Sequence, residues 1–244
     1  MTGRQVGAAL GFAALGAVVA LAVNAVATDD GGTPADGGSP SPAANPTFER
    51  PDEATNPEAA EFYDLVTAFQ DLTLHATYRV TATAETTPSI IEIWQKDGQF
   101  RQETTVATEA GQAGRILVLH LTDRTVLCQQ PPDGDYACTL LPESQESAFS
   151  SLRTGLLAGL GDQEVTVRDD VIGDFTVRCF SIEITEPSTG STGPSDAPSE
   201  ENELCATDEG VIVTITGAEG TFELLDLQRT VDDDVFVPPA TPGV

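Results

Sequence analysis

Positive charge is scarce in this chain. Eleven lysines and arginines stand against 39 aspartates and glutamates in 244 residues, a formal charge of −28. That balance repels nucleic-acid phosphates and gives no electrostatic hold on an anionic bilayer. Nucleic acid is therefore excluded as a partner, and any lipid must be met by an apolar pocket or an apolar segment. Histidine is nearly missing, with only His75 and His120. There is no G-x-S-x-G, no H-E-x-x-H and no phosphate-binding glycine loop. No nucleophile, base and metal-ligand set stands at a workable spacing. The sequence predicts no enzyme, no cofactor and no metal. Asp232-Asp233-Asp234 lacks the interleaved glycine and distal glutamate of a calcium loop and reads as a solvated acidic turn.

Cysteine is absent before residue 128, which excludes a lipoprotein-type acylated cysteine near the N-terminus. The four that are present, Cys128, Cys138, Cys179 and Cys205, include no CxxC pair. An even number at wide spacing suits the oxidising side of a membrane. Cys128 and Cys138 flank a Pro131-Pro132-Asp133-Gly134 turn, and Cys179 and Cys205 bracket a low-complexity stretch. The simplest of the three pairings is 128–138 with 179–205. Metal ligation and free thiols are the alternatives, with only the two histidines available to complete a metal site.

From Val6 to Ala27 the chain is apolar except for Asn24, and Ala25-Val26-Ala27 offers a small-residue cleavage pattern. The segment is either a signal peptide cut near Ala27 or a single N-terminal transmembrane anchor, with Arg4 inside and Asp29 and Asp30 outside. Either way the protein is extracytoplasmic, membrane-anchored or secreted. Residues 28–56 are rich in Gly, Pro, Ser and acids, and read as a disordered tether. The folded domain is expected over 57–237, with a disordered insertion at 186–202 and a frayed tail at 238–244.

Within that domain, Phe62, Leu65, Val66 and Phe69 recur at helical spacing over 57–72, with Asn56 as cap and Pro57 in the first turn. Residues 74–84 alternate apolar and polar, a strand with one wet face. Strands at 89–95 and 100–106 surround Lys96-Asp97-Gly98-Gln99, a tight-hairpin signal. That turn sets Ile91, Ile93, Phe100 and Val106 on one face and puts Trp94 opposite Arg101 on the other. Residues 115–121 are apolar on both faces, which predicts a central strand covered on both sides. Strands follow at 125–129 and 136–141, a glycine-weakened helix at 143–160, then strands at 164–168, 175–185, 211–215 and 221–229. The fold class is α+β, mainly antiparallel β.

This order resembles the LolA/LppX-type lipoprotein-carrier fold over about residues 57–240. The stretch Ile93-Trp94-Gln95-Lys96-Asp97-Gly98-Gln99-Phe100-Arg101 is similar to that family's early hairpin. Phe222-Glu223-Leu224, followed by Asp234-Val235-Phe236-Val237-Pro238-Pro239, is similar to its ending. The cysteine pairs look like those of actinobacterial relatives. The chain departs from the lipoproteins in lacking a lipobox cysteine. The resemblance implies a curved sheet or half-barrel of about 9–11 strands closed by two or three helices. It also implies a non-catalytic role: holding a lipid or other hydrophobic ligand between sheet and helices. The candidate lining is Tyr78, Val80, Ile91, Ile93, Phe100, Val118, Phe222 and Leu224. A filled core made of the same residues is the alternative reading of the pattern. An envelope sensor or structural module contacting an unknown protein partner is the alternative function.

Overall fold

The computed structural model describes residues 48–83, 88–107, 113–141, 157, 165–183, 201–217 and 220–243. Asn56 caps α1 (Pro57–Ala68): its side-chain oxygen accepts from the Ala59 N–H at 3.1 Å. Such a cap stabilises a helix by about 1 kcal/mol. A 3-10 turn over Phe69–Asp71 ends the segment. The strands are β1 (Leu74–Ala82), β2 (Ser89–Lys96), β3 (Gln99–Ala107), β4 (Ala113–His120), β5 (Thr125–Gln130), β6 (Ala137–Leu141), β7 (Val165–Ile172), β8 (Phe175–Glu183), β9 (Glu201–Ala206), β10 (Ile212–Gly217) and β11 (Gly220–Gln228). They form one open antiparallel sheet in the order β6-β5-β4-β3-β2-β1-β11-β10-β9-β8-β7. The α+β class and the strand number agree with expectation. Every pairing but one joins strands that are neighbours in sequence; the exception is the β1–β11 pairing, which welds two meanders into one sheet.

The β2–β3 turn forms as read: Asp97 and Gly98 both have positive φ, at 49° and 74°. Trp94 pairs with Arg101, and its ring lies 4.8 Å from the guanidinium carbon. Gly220 is required by close approach. A Cβ there would sit 2.1 Å from the Thr81 carbonyl oxygen, where β11 enters beside β1.

Pairing divides the side chains between two faces. Leu74, Ala76 and Tyr78 of β1 share the inner face with Ile91 and Ile93, Phe222 and Leu224, and Leu204 and Phe180. Helix α1 lies on this face; Phe62 meets Phe180 edge-on at 5.4 Å, and Gln95 donates to the Phe69 carbonyl at 2.7 Å. Phe62, Leu65, Val66 and Phe69 are all buried. Each such side chain withdrawn from water contributes about 1.5–3 kcal/mol, which is what holds the helix to the sheet.

Three boundaries differ from expectation. The folded region begins by Phe48, which packs against the core and accepts from the Tyr63 hydroxyl through its carbonyl, while Arg50 pairs with Asp64 at 2.7 Å. An aromatic residue, a hydrogen bond and an ion pair connect to the core a segment whose composition looks like linker. The far side of the low-complexity stretch, Glu201–Ala206, is strand β9, because Cys205 and Leu204 ladder with both β8 and β10. The tail is seated on the sheet over 238–243, where a frayed end was expected. After a 3-10 turn at Asp233–Phe236 the chain runs along the outer face, and Gly243 donates to the Cys138 carbonyl at 2.9 Å.

β4 also differs from expectation. It stands third from one end of the sheet rather than centrally, and only Leu117 and Leu119, on its outer face, are fully buried. They join Val126, Cys128 and Cys138 in a small second core against which Ala240 of the C-terminal segment packs. The expected helix at 143–160 and the insertion at 186–202 lie largely outside the described residues. Leu157 is described, and it is buried in the main core.

Candidate functional site

The inner face has two halves. Over β1 and β8–β11 it is roofed by α1. There the ring of Tyr78 stacks on Phe222 at 4.2 Å, and its hydroxyl donates to the Ile212 carbonyl at 3.1 Å. Burial pushes the Tyr78 phenol far above its ordinary range, so it stays neutral and donating. Beyond β2 the face continues across β3, β4 and β5. Register aligns Phe100 with His120 and Gln102 with Val118, then Val118 with Leu127. Ile116, Val118 and Leu127 are half-buried here, in contrast to the roofed half.

The candidate lining residues divide accordingly. Tyr78, Ile91, Ile93, Phe100, Phe222 and Leu224 are buried members of the main core cluster. Val80 packs against that cluster from its edge. Val118 stands apart from it, on the same face but two strands beyond Ile93. Sequence reasoning missed the polar groups set among these apolar ones. Gln102 and Thr104 are buried, and the Gln102 amide donates to the Thr104 hydroxyl at 3.3 Å. Strand alternation from Phe100 would have put both on the inner face.

His120 sits at the rim of this half. Its Nδ1 lies 2.8 Å from the Thr125 hydroxyl, and its ring centroid is 6.2 Å from that of Phe100. Its Nε2 is buried and has no hydrogen-bond partner among the described residues. Burial lowers its pKa from 6.5 to about 4, so the ring is neutral at physiological pH. The unfolded chain therefore takes up the proton first on acidification. The stability linked to His120 is complete above about pH 6.5 and is lost as the pH falls toward 4. With the half-buried position discounted for solvent screening, we expect about 2 kcal/mol between pH 7 and 4.5. Urea unfolding of the wild type and of His120→Gln should show this as a pH-dependent difference. A difference that stays constant across that range would contradict the assignment.

The outer face carries two cross-strand rows. One runs His75, Trp94, Arg101, Leu119, Val126 and Leu140, with the His75 ring stacked on Trp94 at 4.6 Å. The other includes Glu92, Glu103, Leu117, Cys128 and Cys138. His75 Nε2 lies 3.4 Å from the Glu92 carboxylate. Both disulfides form with the simplest pairing, Cys128–Cys138 and Cys179–Cys205. Glu203 lies close to Cys179 and Cys205. Those sulfurs are bonded to each other, however, and the Glu203 carboxylate is held by Arg168 at 3.0 Å, so the trio offers no thiolate to a metal.

Comparison with known proteins gives distant likenesses only. No protein-family model matches the chain, and no curated protein matches it. Among solved structures, the crystal structure of MucB aligns at 13% identity and a TM-score of 0.45, over 75% of this chain and 63% of that one. MucB in complex with MucA(peri) aligns at 13% identity and a TM-score of 0.44, over 75% and 60%. The MucA/MucB complex of Pseudomonas aeruginosa aligns at 14% identity and a TM-score of 0.45, over 73% and 59%. The chain thus spans less than two thirds of the length of these structures. Among the described residues, no helix is long and apolar enough to cross a membrane.

Proposed function

We propose that this chain is an extracytoplasmic, non-catalytic binding protein that holds an acyl chain or a similar hydrophobic molecule against the inner face over β3–β5. The observation that carries the reading is the half-buried apolar surface of Ile116, Val118 and Leu127. It continues from the main core past Phe100, on strands that α1 does not roof. Each methylene buried there contributes about 0.8 kcal/mol, so a short tail suffices for useful affinity. Two disulfides support an oxidising compartment. Residues 1–27 then serve as export signal or single membrane anchor, and the residues before Phe48 as tether, consistent with the carrier-fold resemblance.

The test is organic extraction of the natively purified protein, followed by mass spectrometry and by titration with a fluorescent fatty acid. The extract should contain a lipid. Val118→Asp should weaken fatty-acid binding at least about tenfold, by putting an unpaired charge on the apolar face. An empty extract together with no uptake by the wild type would sink the proposal.

A further inference from the structure

The two ends of the sheet are treated differently. At β6 the chain closes its own edge: Gly243 exchanges two backbone hydrogen bonds with Cys138 and Leu140. Pro238, Pro239 and Pro242 precede Gly243 in the chain and have no N–H to donate to a longer ladder. At β7 no backbone group among the described residues pairs with the outer edge, and a cleft of about 260 Å³ lies beside it.

The cleft is lined on the sheet side by Val167, Arg168 and Asp169 of β7 and by Arg178 of β8, so it lies against the edge strand and its first neighbour. Val167, Arg168 and Asp169 are consecutive, so their side chains alternate between the two faces, yet all three line the one cleft. The opposite wall is the N-terminal part of α1, with Pro57, Glu58 and Glu61. The Val171 N–H turns away from β8 and is capped by the Asp170 carboxylate at 2.8 Å. By alternation the N–H groups of Val167 and Asp169 point to the same outer side, away from β8.

The charges choose the occupant. Arg178 is committed to Glu61 at 2.6 Å and lies 3.6 Å from Asp169, while Arg168 is held by Glu203 and Asp170. Glu58 has no ion-pair partner among the described residues. Both guanidiniums are thus neutralised by the protein itself, and the Glu58 carboxylate is left over in the lining of a cleft in a chain of net charge −28. We propose that the cleft between α1 and β7 is a docking site for an extended, lysine- or arginine-bearing peptide segment of a protein partner. The segment adds to the β7 edge as a further strand by pairing with Val167 and Asp169. The surface is separate from the hydrophobic-ligand site and does not depend on it.

The probe is an acetylated, amidated pentapeptide alternating lysine and valine, labelled for fluorescence anisotropy and titrated into the full-length protein. We expect saturable binding that weakens at least tenfold when alternate peptide nitrogens are methylated, because the ladder bonds are then lost. Val167→Pro should have the same effect. Its missing N–H faces outward, so the β7–β8 ladder is left in place. Glu58→Lys should weaken binding several-fold, and a glutamate–valine peptide should not bind. Four results overturn the proposal: no binding up to about 1 mM, equal affinity for the methylated peptide, equal affinity for the acidic peptide, or a dimer that Val167→Pro dissolves. The last would assign the edge to a second copy. Should Val167→Pro fail to fold, the methylated peptide on the wild-type protein decides alone.

Discussion

Replacing Cys179 and Cys205 together by alanine is expected to lower the unfolding free energy by about 3.5 kcal/mol, the larger of the two disulfide effects in this protein. The bridge closes a loop with a sequence separation of 26 residues, against 10 for Cys128–Cys138. In the chain-entropy treatment the longer loop leaves the unfolded ensemble more freedom to regain, about 3.5 against about 2.7 kcal/mol. The loop includes residues 186–202, whose Ser, Pro, Thr and Gly offer little apolar surface to hold β8 against β9 without the covalent link. Alanine is the appropriate replacement. Both sulfurs are fully buried, and serine would add a hydroxyl whose desolvation is a separate penalty. Urea unfolding at pH 7 should move the midpoint further for the Cys179/Cys205 variant than for the Cys128/Cys138 variant. Equal midpoints for both variants and wild type would mean that β8–β9 pairing and its neighbours already restrict the unfolded chain. The bridges would then not be what secures the sheet.

The features legible in the sequence were those set by local chemistry. The β2–β3 hairpin followed from Asp97-Gly98, because a two-residue turn with both φ positive admits few other residues. The Trp94–Arg101 contact followed from the register that this turn imposes. α1 followed from apolar spacing with Asn56 ahead of Pro57. Features set by distant parts of the chain were not legible. β11 pairs with β1 across about 140 residues of sequence, and nothing local to Tyr78 names Leu224 as its neighbour. The seating of Gly243 on β6 depends on the path of the whole C-terminal segment. That path is set by Lys96 donating to the Val231 carbonyl and Arg101 to the Val235 carbonyl. The candidate lining came from the carrier-fold resemblance, with alternation assigning the faces. Alternation assigns a face but not the helix that covers it, so Tyr78 beneath α1 and Val118 beyond it looked equivalent. Glu103 shows the same limit from the other side. A glutamate in an exposed-looking Arg-Gln-Glu-Thr-Thr run gives no sign that it is buried.

Glu103→Ala is expected to cost about 3–4 kcal/mol, far more than a surface carboxylate is worth. The Glu103 side chain is only 6% exposed and accepts from Arg101 at 2.7 Å and from Arg115 at 3.0 Å. Arg101 is itself largely buried, stacked over Trp94 and donating to the Val235 carbonyl. Removing Glu103 strands that guanidinium without its counter-charge, beside the segment it anchors. Arg115 is the weaker arm because it is about half exposed, so Arg115→Ala should cost under about 1 kcal/mol. Replacing both members of the buried pair, Arg101→Met with Glu103→Leu, should recover most of the loss, since apolar side chains of similar volume escape the desolvation penalty. The double variant removes the donor to Val235, however, so the amide of Gly243 should exchange with deuterium faster even where global stability is restored. A double-mutant cycle by urea unfolding, read together with hydrogen exchange, separates the two roles. If Glu103→Ala cost no more than Arg115→Ala, Glu103 would be acting as an ordinary rim charge. The Arg101 bond to the Val235 carbonyl would then not depend on Glu103 as its counter-charge.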